Sequence, residues 1–141
     1  SGGAWEALVG PAVAVNLLSV DTNDKGHVFL GTDDARLFRN EDQADPAEWE
    51  EWSDLGGGTI DYICFDPRAN YVGLMLYNPP DPVTDQGYAY RSEDGGASWV
   101  RMTGMPTNNG LNGGFLCDEN YYYVIGDVYD GATSMAKTEI A

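Results

Sequence analysis

A three-fold internal repeat is the feature that most constrains how this chain folds. Three segments each contain an apolar run, an aspartate, a short polar turn and a second apolar run. The segments are residues 16–34, 61–79 and 113–131, and their shared aspartates are Asp21, Asp66 and Asp118. Short apolar runs separated by turns rich in Gly, Asp, Asn and Pro are typical of antiparallel strands. The repeat therefore indicates one small β unit that is used three times.

A polar corner and a tryptophan follow the first two segments. Arg39-Asn40-Glu41-Asp42 precedes Trp49, and Arg91-Ser92-Glu93-Asp94 precedes Trp99. The third copy is divided between the chain ends, because residues 136–141 followed by residues 1–8 reproduce it and include Trp5. The interval from Trp49 to Trp99 is 50 residues, and that from Trp99 to Trp5 through the joined ends is 47. Each repeat thus has four short strands in roughly 45–50 residues, the size of a β-propeller blade.

The sequence predicts an all-β fold, namely a β-propeller of four-stranded antiparallel blades with three blades in the chain. Residues 1–141 are expected to form a single unit. Blade 1 covers about 14–53, blade 2 about 59–104, and blade 3 about 111–141 together with 1–9. The N-terminal strand is expected to complete the third blade, either within the same chain or in another protomer.

The second corner resembles a motif of a known family. Ser92, Asp94, Gly96 and Trp99 match the pattern S-x-D-x-G-x-x-W at its four fixed positions. The segment resembles the Asp-box (bacterial neuraminidase, or BNR) repeat of sialidase-like β-propellers. The resemblance implies that the box forms the turn between the third and fourth strands, with its Trp packed between blades. Short polar side chains that bond the turn backbone, and a glycine with positive φ, suit such a turn.

The other two corners match the Asp-box pattern less completely. The first corner has Asn40, Asp42 and Trp49, and the third has Trp5. Through the repeat, the resemblance extends over essentially the whole chain. In the resembled family the boxes are structural and lie on the face opposite the ligand site. No residue of these boxes is therefore expected to be catalytic.

Three blades are too few for a closed ring, since propellers typically have about four to eight blades. A homodimer would give a six-bladed ring, which is the number typical of the resembled family. In such a ring the open blade of one protomer would be completed by the other, under two-fold symmetry. The alternative is that the chain is a fragment of a longer propeller.

The remaining loops should lie on the opposite face, because successive connections of an up-and-down sheet alternate between its two ends. They contain acids beside aromatic residues, which suits carbohydrate, since carboxylates accept hydroxyl protons and rings stack on sugar faces. The same acids fit calcium, but a role in forming turns is favoured, and metal binding is left open. The candidate ligand-binding residues are Asp33, Asp34, Tyr77, Asp81, Asp85, Tyr88, Asp127, Tyr129 and Asp130.

The charge excludes two classes of partner. The chain has 23 acidic and 7 basic residues and a net charge of −16, whereas nucleic acids and anionic membrane surfaces attract Lys and Arg. No apolar run reaches the ~18 residues that a membrane-spanning helix needs. The acidity fits an extracellular or surface-associated location. Cys64 and Cys117 are expected to be buried thiols rather than a disulfide, and no cofactor is implied.

Catalysis is not expected from this sequence. A sialidase-like site needs a cluster of arginines, and the five arginines of the chain are dispersed. A glycosidase needs two carboxylates about 5–9.5 Å apart, which most acidic loop clusters would supply. The expected function is a non-catalytic binding module, lectin-like or protein-binding, with carbohydrate as the candidate ligand. The alternatives are a piece of a propeller glycoside hydrolase, sialidase-like or xyloglucanase-like, and a structural subunit of a virion or cell surface.

Overall fold

The computed structural model of the chain describes residues 10–41, 48–81, 87–103, 110–118, 121–127 and 133–139, and gives backbone strands alone in the last three ranges. These residues contain eleven strands and no helix, which confirms the predicted all-β fold. The strands are β1 (Leu17–Thr22), β2 (Val28–Thr32), β3 (Arg36–Asn40), β4 (Glu50–Asp54), β5 (Thr59–Asp66), β6 (Ala69–Asn78), β7 (Tyr88–Ser92), β8 (Val100–Arg101), β9 (Gly110–Asp118), β10 (Tyr121–Asp127) and β11 (Thr133–Glu139).

The strands form three antiparallel sheets in which neighbours along the chain are neighbours in the sheet. Sheet 1 has the order β1-β2-β3-β4, sheet 2 the order β5-β6-β7-β8, and sheet 3 the order β11-β10-β9. Sheets 1 and 2 are therefore four-stranded up-and-down units of the kind that builds propeller blades. The fourth strand predicted for the third unit falls on residues 1–9, which lie outside the described residues.

Sheet 2 is apolar on both of its faces. Side chains alternate along a strand, so Leu74 and Met75 of β6 point to opposite faces, and both are buried at 0% and 1% exposure. Leu74 belongs to a core cluster with Val72, Leu76 and Ala89. Met75 belongs to a second cluster with Phe29, Leu37, Ile60, Ile63 and Phe65, which joins sheet 1 to sheet 2. Burial on both faces means that sheet 2 has a neighbour on each side.

The three sheets stack in chain order with their first strands together. β1 contacts β5, and β9 contacts β5 and β6. Sheet 1 therefore adjoins sheet 2, and sheet 2 adjoins sheet 3.

Hydrogen bonds join sheet 1 to sheet 2 beside the apolar core. β5 is an edge strand of sheet 2, and an edge strand has backbone groups that its own sheet leaves unpaired. The Asp21 carboxylate accepts a hydrogen bond from the Phe65 N–H at 2.7 Å, and the Ser19 hydroxyl donates one to the Ile60 carbonyl at 3.1 Å. The backbones approach closely at Gly31, where a Cβ would stand 2.5 Å from the Ile60 carbonyl oxygen. These polar contacts thus determine the position of sheet 1 relative to β5.

Candidate functional site

The corner between β7 and β8 is closed by side chains that bond its own backbone. The Ser92 hydroxyl accepts a hydrogen bond from the Gly96 N–H at 2.8 Å and donates one to the Asp94 carboxylate at 2.8 Å. Asp94 also accepts from the Ser98 N–H at 2.8 Å and from the Ser98 hydroxyl at 2.6 Å. Gly95 and Gly96 have φ values of 75° and 88°, a region that glycine enters without strain. These residues build a turn.

Asp94 is an ionised acceptor in that turn. Burial acts to raise the pKa of its carboxyl, but hydrogen bonds from Ser98 and Ser92 outweigh burial and hold the pKa below its usual value. The carboxyl has no proton to give at neutral pH, and a general acid must hold one. Ser98 and Ser92 therefore keep Asp94 in the form that accepts the hydrogen bonds of the turn.

Asn23 ties the same corner to sheet 1. Its side-chain amide donates to the Gly95 carbonyl at 2.6 Å, and this hydrogen bond is buried. The amide oxygen of Asn23 accepts from the N–H groups of Lys25 and His27, both at 3.0 Å. The β1–β2 turn and the β7–β8 corner therefore lie at the same end of the stacked sheets.

Trp99 anchors the corner between sheets 1 and 2. Its ring meets Phe29 of sheet 1 and Phe65 of sheet 2 edge-on, with centroids 6.5 and 6.0 Å away. Two glycines make the room: a Cβ at Gly96 would stand 2.4 Å from the Phe29 ring, and one at Gly73 would stand 2.9 Å from the Trp99 ring. Each such aromatic pair adds about 0.5–1.5 kcal/mol beyond its buried area.

Ion pairs connect described residues on either side of the corner between β3 and β4. Arg39 forms ion pairs with Glu41 at 3.1 Å and with Glu50 at 2.9 Å. Its guanidinium carbon lies 4.1 Å from the centroid of the Trp52 ring, a cation–π contact. Asn40, which takes the place of Ser92 in this repeat, is 3% exposed.

The loops at the opposite end of sheets 1 and 2 contact one another. We call the described residues of this surface the loop face: residues 33–36, 55–59 and 77–81. The Leu55 N–H donates to the Ala35 carbonyl at 3.3 Å, and the Tyr77 hydroxyl donates to the Gly57 carbonyl at 3.0 Å. Loops from both sheets therefore form one continuous surface, and it lies away from the corners.

Asp33 and Asp34, two candidates on the loop face, are engaged within the chain. Asp33 accepts hydrogen bonds from the backbone N–H of Asn16, at 2.9 Å, and from its side-chain amide. Asp34 accepts from the Arg36 guanidinium at 2.8 Å and from the Thr32 hydroxyl at 2.6 Å. The hydrogen bond from Arg36 is the main cause that lowers the pKa of Asp34. A carboxylate has about four acceptor sites, so the exposed Asp33 retains capacity for a ligand.

The two candidate tyrosines are stacked on each other. The ring centroids of Tyr77 and Tyr88 are 6.1 Å apart and the rings are 17° from parallel. The Arg101 guanidinium carbon lies 3.4 Å from the Tyr88 centroid. Because β7 lies between β6 and β8, Tyr77 and Arg101 cover opposite faces of the Tyr88 ring. A sugar would therefore meet the edge and hydroxyl of Tyr88 rather than an open ring face.

The other candidates are only partly described. Asp81 is exposed beyond the end of β6, Trp49 is half-buried before β4, and Asp127 is the last residue of β10. Predictions that fall outside the described residues concern Trp5, Asp42, Asp85, Tyr129 and Asp130. Cys64 is a thiol and not half of a disulfide.

The five arginines have separate partners. Acidic residues pair with Arg36, Arg39, Arg68 and Arg91, and Arg101 lies over Tyr88. A sialidase-like site would need several guanidinium groups to converge on one carboxylate, and these groups do not converge. Within the described ranges there is also no group of three His, Cys, Asp or Glu side chains placed to hold a metal ion.

A groove between sheets 1 and 2 was not predicted from the sequence. We call it the aromatic groove; its volume is about 320 Å³, and it is lined by Trp52, Leu55, Met75, Tyr90, Ser98 and Trp99. The Trp99 indole nitrogen is buried and has no hydrogen-bond partner among the described residues. Burial raises the pKa of Tyr90, so its hydroxyl keeps its proton. Trp99, just before β8, was the sequence signal that could have pointed to this groove, whereas its repeat counterpart Trp49 is not among the lining residues.

No helix in the described part of the chain is long and apolar enough to cross a membrane. Neither the protein-family models nor the curated proteins give a match to the sequence. Among solved structures, the chain is similar to the GH74 xyloglucanase from Xanthomonas campestris, with a TM-score of 0.66 and 15% identity over 94% of this chain. The match covers 24% of the xyloglucanase chain, so this chain spans about a quarter of that protein. The xyloglucanase is a β-propeller glycoside hydrolase, and the likeness shows that this chain has a propeller-like all-β fold.

Proposed function

We propose that the chain is a non-catalytic β-propeller module that binds carbohydrate. The observation that carries this proposal is the aromatic groove, in which Trp52, Tyr90 and Trp99 surround about 320 Å³ of space. Aromatic rings pack well on the apolar face of a sugar, and the Trp99 N–H is a donor without a partner among the described residues. Clefts that take small ligands typically begin at about 300 Å³.

The charge state of the described carboxyl groups supports binding rather than hydrolysis. A glycosidase needs a carboxylic acid whose pKa is raised so that it can protonate the leaving group. Asp34, Asp66 and Asp94 have shifted pKa values, and all three are lowered. On the loop face, Asp34 has a lowered pKa and, as an ionised acceptor, suits hydrogen bonds from sugar hydroxyl groups.

The proposed module acts within a larger ring. Sheets 1 and 2 are four-stranded and sheet 3 has three strands in the described residues, and its proposed fourth strand is the N-terminal strand of this or another protomer. Two chains of three blades give a six-bladed homodimeric ring. The Asp-box corners are its structural turns. An extracellular or surface location fits the net charge of −16.

Carbohydrate binding followed by tryptophan fluorescence tests the proposal, since Trp52 and Trp99 line the groove. The probes are a panel of neutral and acidic oligosaccharides, including xyloglucan fragments. Trp99→Phe keeps an aromatic ring but removes the donor, and should weaken binding about 2- to 10-fold, the worth of one hydrogen bond. Trp49→Phe, at the other corner, is the matched control and should leave the affinity unchanged. Absence of binding by the wild-type chain, or equal losses in both variants, would contradict the proposal.

The likeness to a xyloglucanase favours one alternative, that the chain is part of a propeller glycoside hydrolase. In that case the loop-face acids, not the groove, would act on the sugar. Incubation of the chain with xyloglucan, followed by measurement of reducing ends, separates the two functions. Release of reducing ends that is lost in Asp81→Asn but kept in Trp99→Phe would favour the hydrolase.

A further inference from the structure

The repeat places two pairs of residues at equivalent positions, and the structure buries one pair and exposes the other. Counted back from the aspartate that the repeats share, Leu18 of β1 corresponds to Ile63 of β5, and Val20 corresponds to Phe65. Ile63 and Phe65 are 4% and 6% exposed, whereas Leu18 and Val20 are 43% and 63% exposed. The sequence keeps these positions apolar in both sheets, although only sheet 2 has them covered.

In sheet 2 these positions are covered by the preceding sheet. The Phe65 ring packs on Phe29 of β2, with centroids 5.0 Å apart. Ile63 joins the same cluster, which also contains Leu37 of β3. The face of β5 that carries Ile63 and Phe65 is thus the surface on which the previous blade rests.

The exposed residues of β1 lie on the face of sheet 1 that is turned away from sheet 2. Ser19 and Asp21 flank Val20 and bond the backbone of β5, so Val20 points to the other side. Leu17, which is 48% exposed, and Leu18 extend this surface at the irregular start of β1. We call Leu17, Leu18 and Val20 the β1 patch. A contiguous exposed apolar patch marks an interaction site.

We propose that the β1 patch is the docking surface for sheet 3 of a second copy of this chain. The proposal rests on the ring assembly proposed above and names the surface that forms it. By equivalence with Ile63 and Phe65, the patch receives the far face of a preceding blade. Along the chain, the sheets come in the order 1, 2, 3, so sheet 1 has no preceding sheet of its own among them. In a head-to-tail pair, sheet 3 of the partner takes the place of that preceding blade.

Two such contacts, related by a two-fold axis, close a six-bladed ring and leave no blade face open. The patch is also uncharged, and each chain has a net charge of −16. An apolar strip is where two strongly acidic copies can meet with the least electrostatic repulsion. Charge placed in this strip should therefore separate the copies.

The test compares Val20→Glu with Val100→Glu. Val100, on β8, is 69% exposed and Val20 is 63% exposed, so the two variants add the same charge to equally exposed valines. Light scattering after size exclusion is expected to give twice the chain mass of 15.3 kDa for the wild type and for Val100→Glu. Val20→Glu is expected to give 15.3 kDa, with a circular dichroism spectrum like that of the wild type.

Footprinting of the wild-type chain with hydroxyl radicals tests the surface without a substitution, should Val20→Glu fail to fold. Oxidation of the peptide carrying the β1 patch is expected to fall as protein concentration rises, whereas oxidation at Val100 stays constant. A wild-type chain that is monomeric at all concentrations, or a Val20→Glu variant as dimeric as Val100→Glu, overturns the docking surface. A monomer that binds carbohydrate overturns this surface alone, and a dimer that binds none supports the surface but contradicts the binding function.

Discussion

The corners of sheets 1 and 2 hold equivalent places in the repeat and share one ion pair, Arg39 with Glu41 and Arg91 with Glu93, but their other described contacts differ. In sheet 2, Ser92 and Asp94 bond the turn through hydrogen bonds of 2.6–2.8 Å. In sheet 1, Arg39 bridges Glu41 and Glu50, whose side chains are 53% and 62% exposed. Buried hydrogen bonds depend on geometry, whereas exposed ion pairs depend on ionic strength. The contacts described for the two corners thus respond to different changes, and the second corner has the more recognisable sequence pattern.

Among substitutions in the two corners, Gly96→Ala should cause the largest loss in the free energy of unfolding. A Cβ there would stand 2.4 Å from the Phe29 ring, and the φ of 88° disfavours alanine. Overpacking and backbone strain together should lower the free energy of unfolding by about 2–4 kcal/mol, measured by urea denaturation. In Gly95→Ala, whose Cβ would stand 3.3 Å from the Asn23 amide, the loss should be smaller. Equal losses would show that strain alone, without the aromatic contact, governs the corner.

Ser92→Ala should have the next largest effect. The substitution leaves the buried Gly96 N–H without its acceptor, which should lower the free energy of unfolding by about 1–3 kcal/mol. Ser98→Ala is the matched control, because the Ser98 hydroxyl bonds the same Asp94 carboxylate in an exposed position. If urea denaturation gives the same loss for both serines, the buried hydrogen bond is not what holds the corner.

Asp94→Asn should change how stability depends on pH. The folded pKa of Asp94 is lowered, so its hydrogen bonds stabilise the fold above the unfolded pKa of about 3.9 and lose this effect as pH falls through the folded value. The free energy of unfolding of the wild type should therefore fall more steeply on acidification than that of Asp94→Asn. Parallel curves from thermal or urea unfolding at several acidic pH values would contradict an ionised Asp94 in the turn.

The smallest effect is expected for Glu50→Gln in sheet 1. Removal of one exposed partner of Arg39 should cost about 0.2–1 kcal/mol at low salt. The loss should vanish near ~1 M salt, where the Debye length is about 3 Å, whereas the loss in Ser92→Ala should persist. A salt-independent loss in Glu50→Gln would remove the proposed distinction between the two corners.

The strands of sheets 1 and 2 could be predicted because each depends on local sequence. The apolar runs on either side of Asp66 became β5 and β6, and the glycines before Trp99 supplied the positive φ values that the corner needs. Turn chemistry of this kind is local, since a short polar side chain reaches only nearby backbone groups. Local turn chemistry does not determine which strands pair, and the repeat supplied this order of strand pairing.

The surroundings of the candidate ligand residues could not be predicted in the same way. That Asp33 bonds Asn16 and that Arg101 covers Tyr88 depends on which strands lie side by side and which rotamers they allow. Aspartates in loops form turns, bind partners within the chain or face solvent, and their sequence pattern is the same in all three cases. The aromatic groove could not be predicted for a related reason. Residues of both sheets line it, so its existence depends on how the two sheets pack.

The hydrogen bonds between sheets 1 and 2 have a consequence for the size of the proposed ring. Ser19 bonds Ile60 near the start of β5, and Asp21 bonds Phe65 near its end. Apolar side chains let two sheets rotate over one another, but directional bonds at both ends of a strand hold one angle. The angle between successive blades determines how many blades close a circle. If the proposed ring forms, an Asp21→Ala chain should therefore populate rings of more than one blade number, and this one interface would select the symmetry of the assembly.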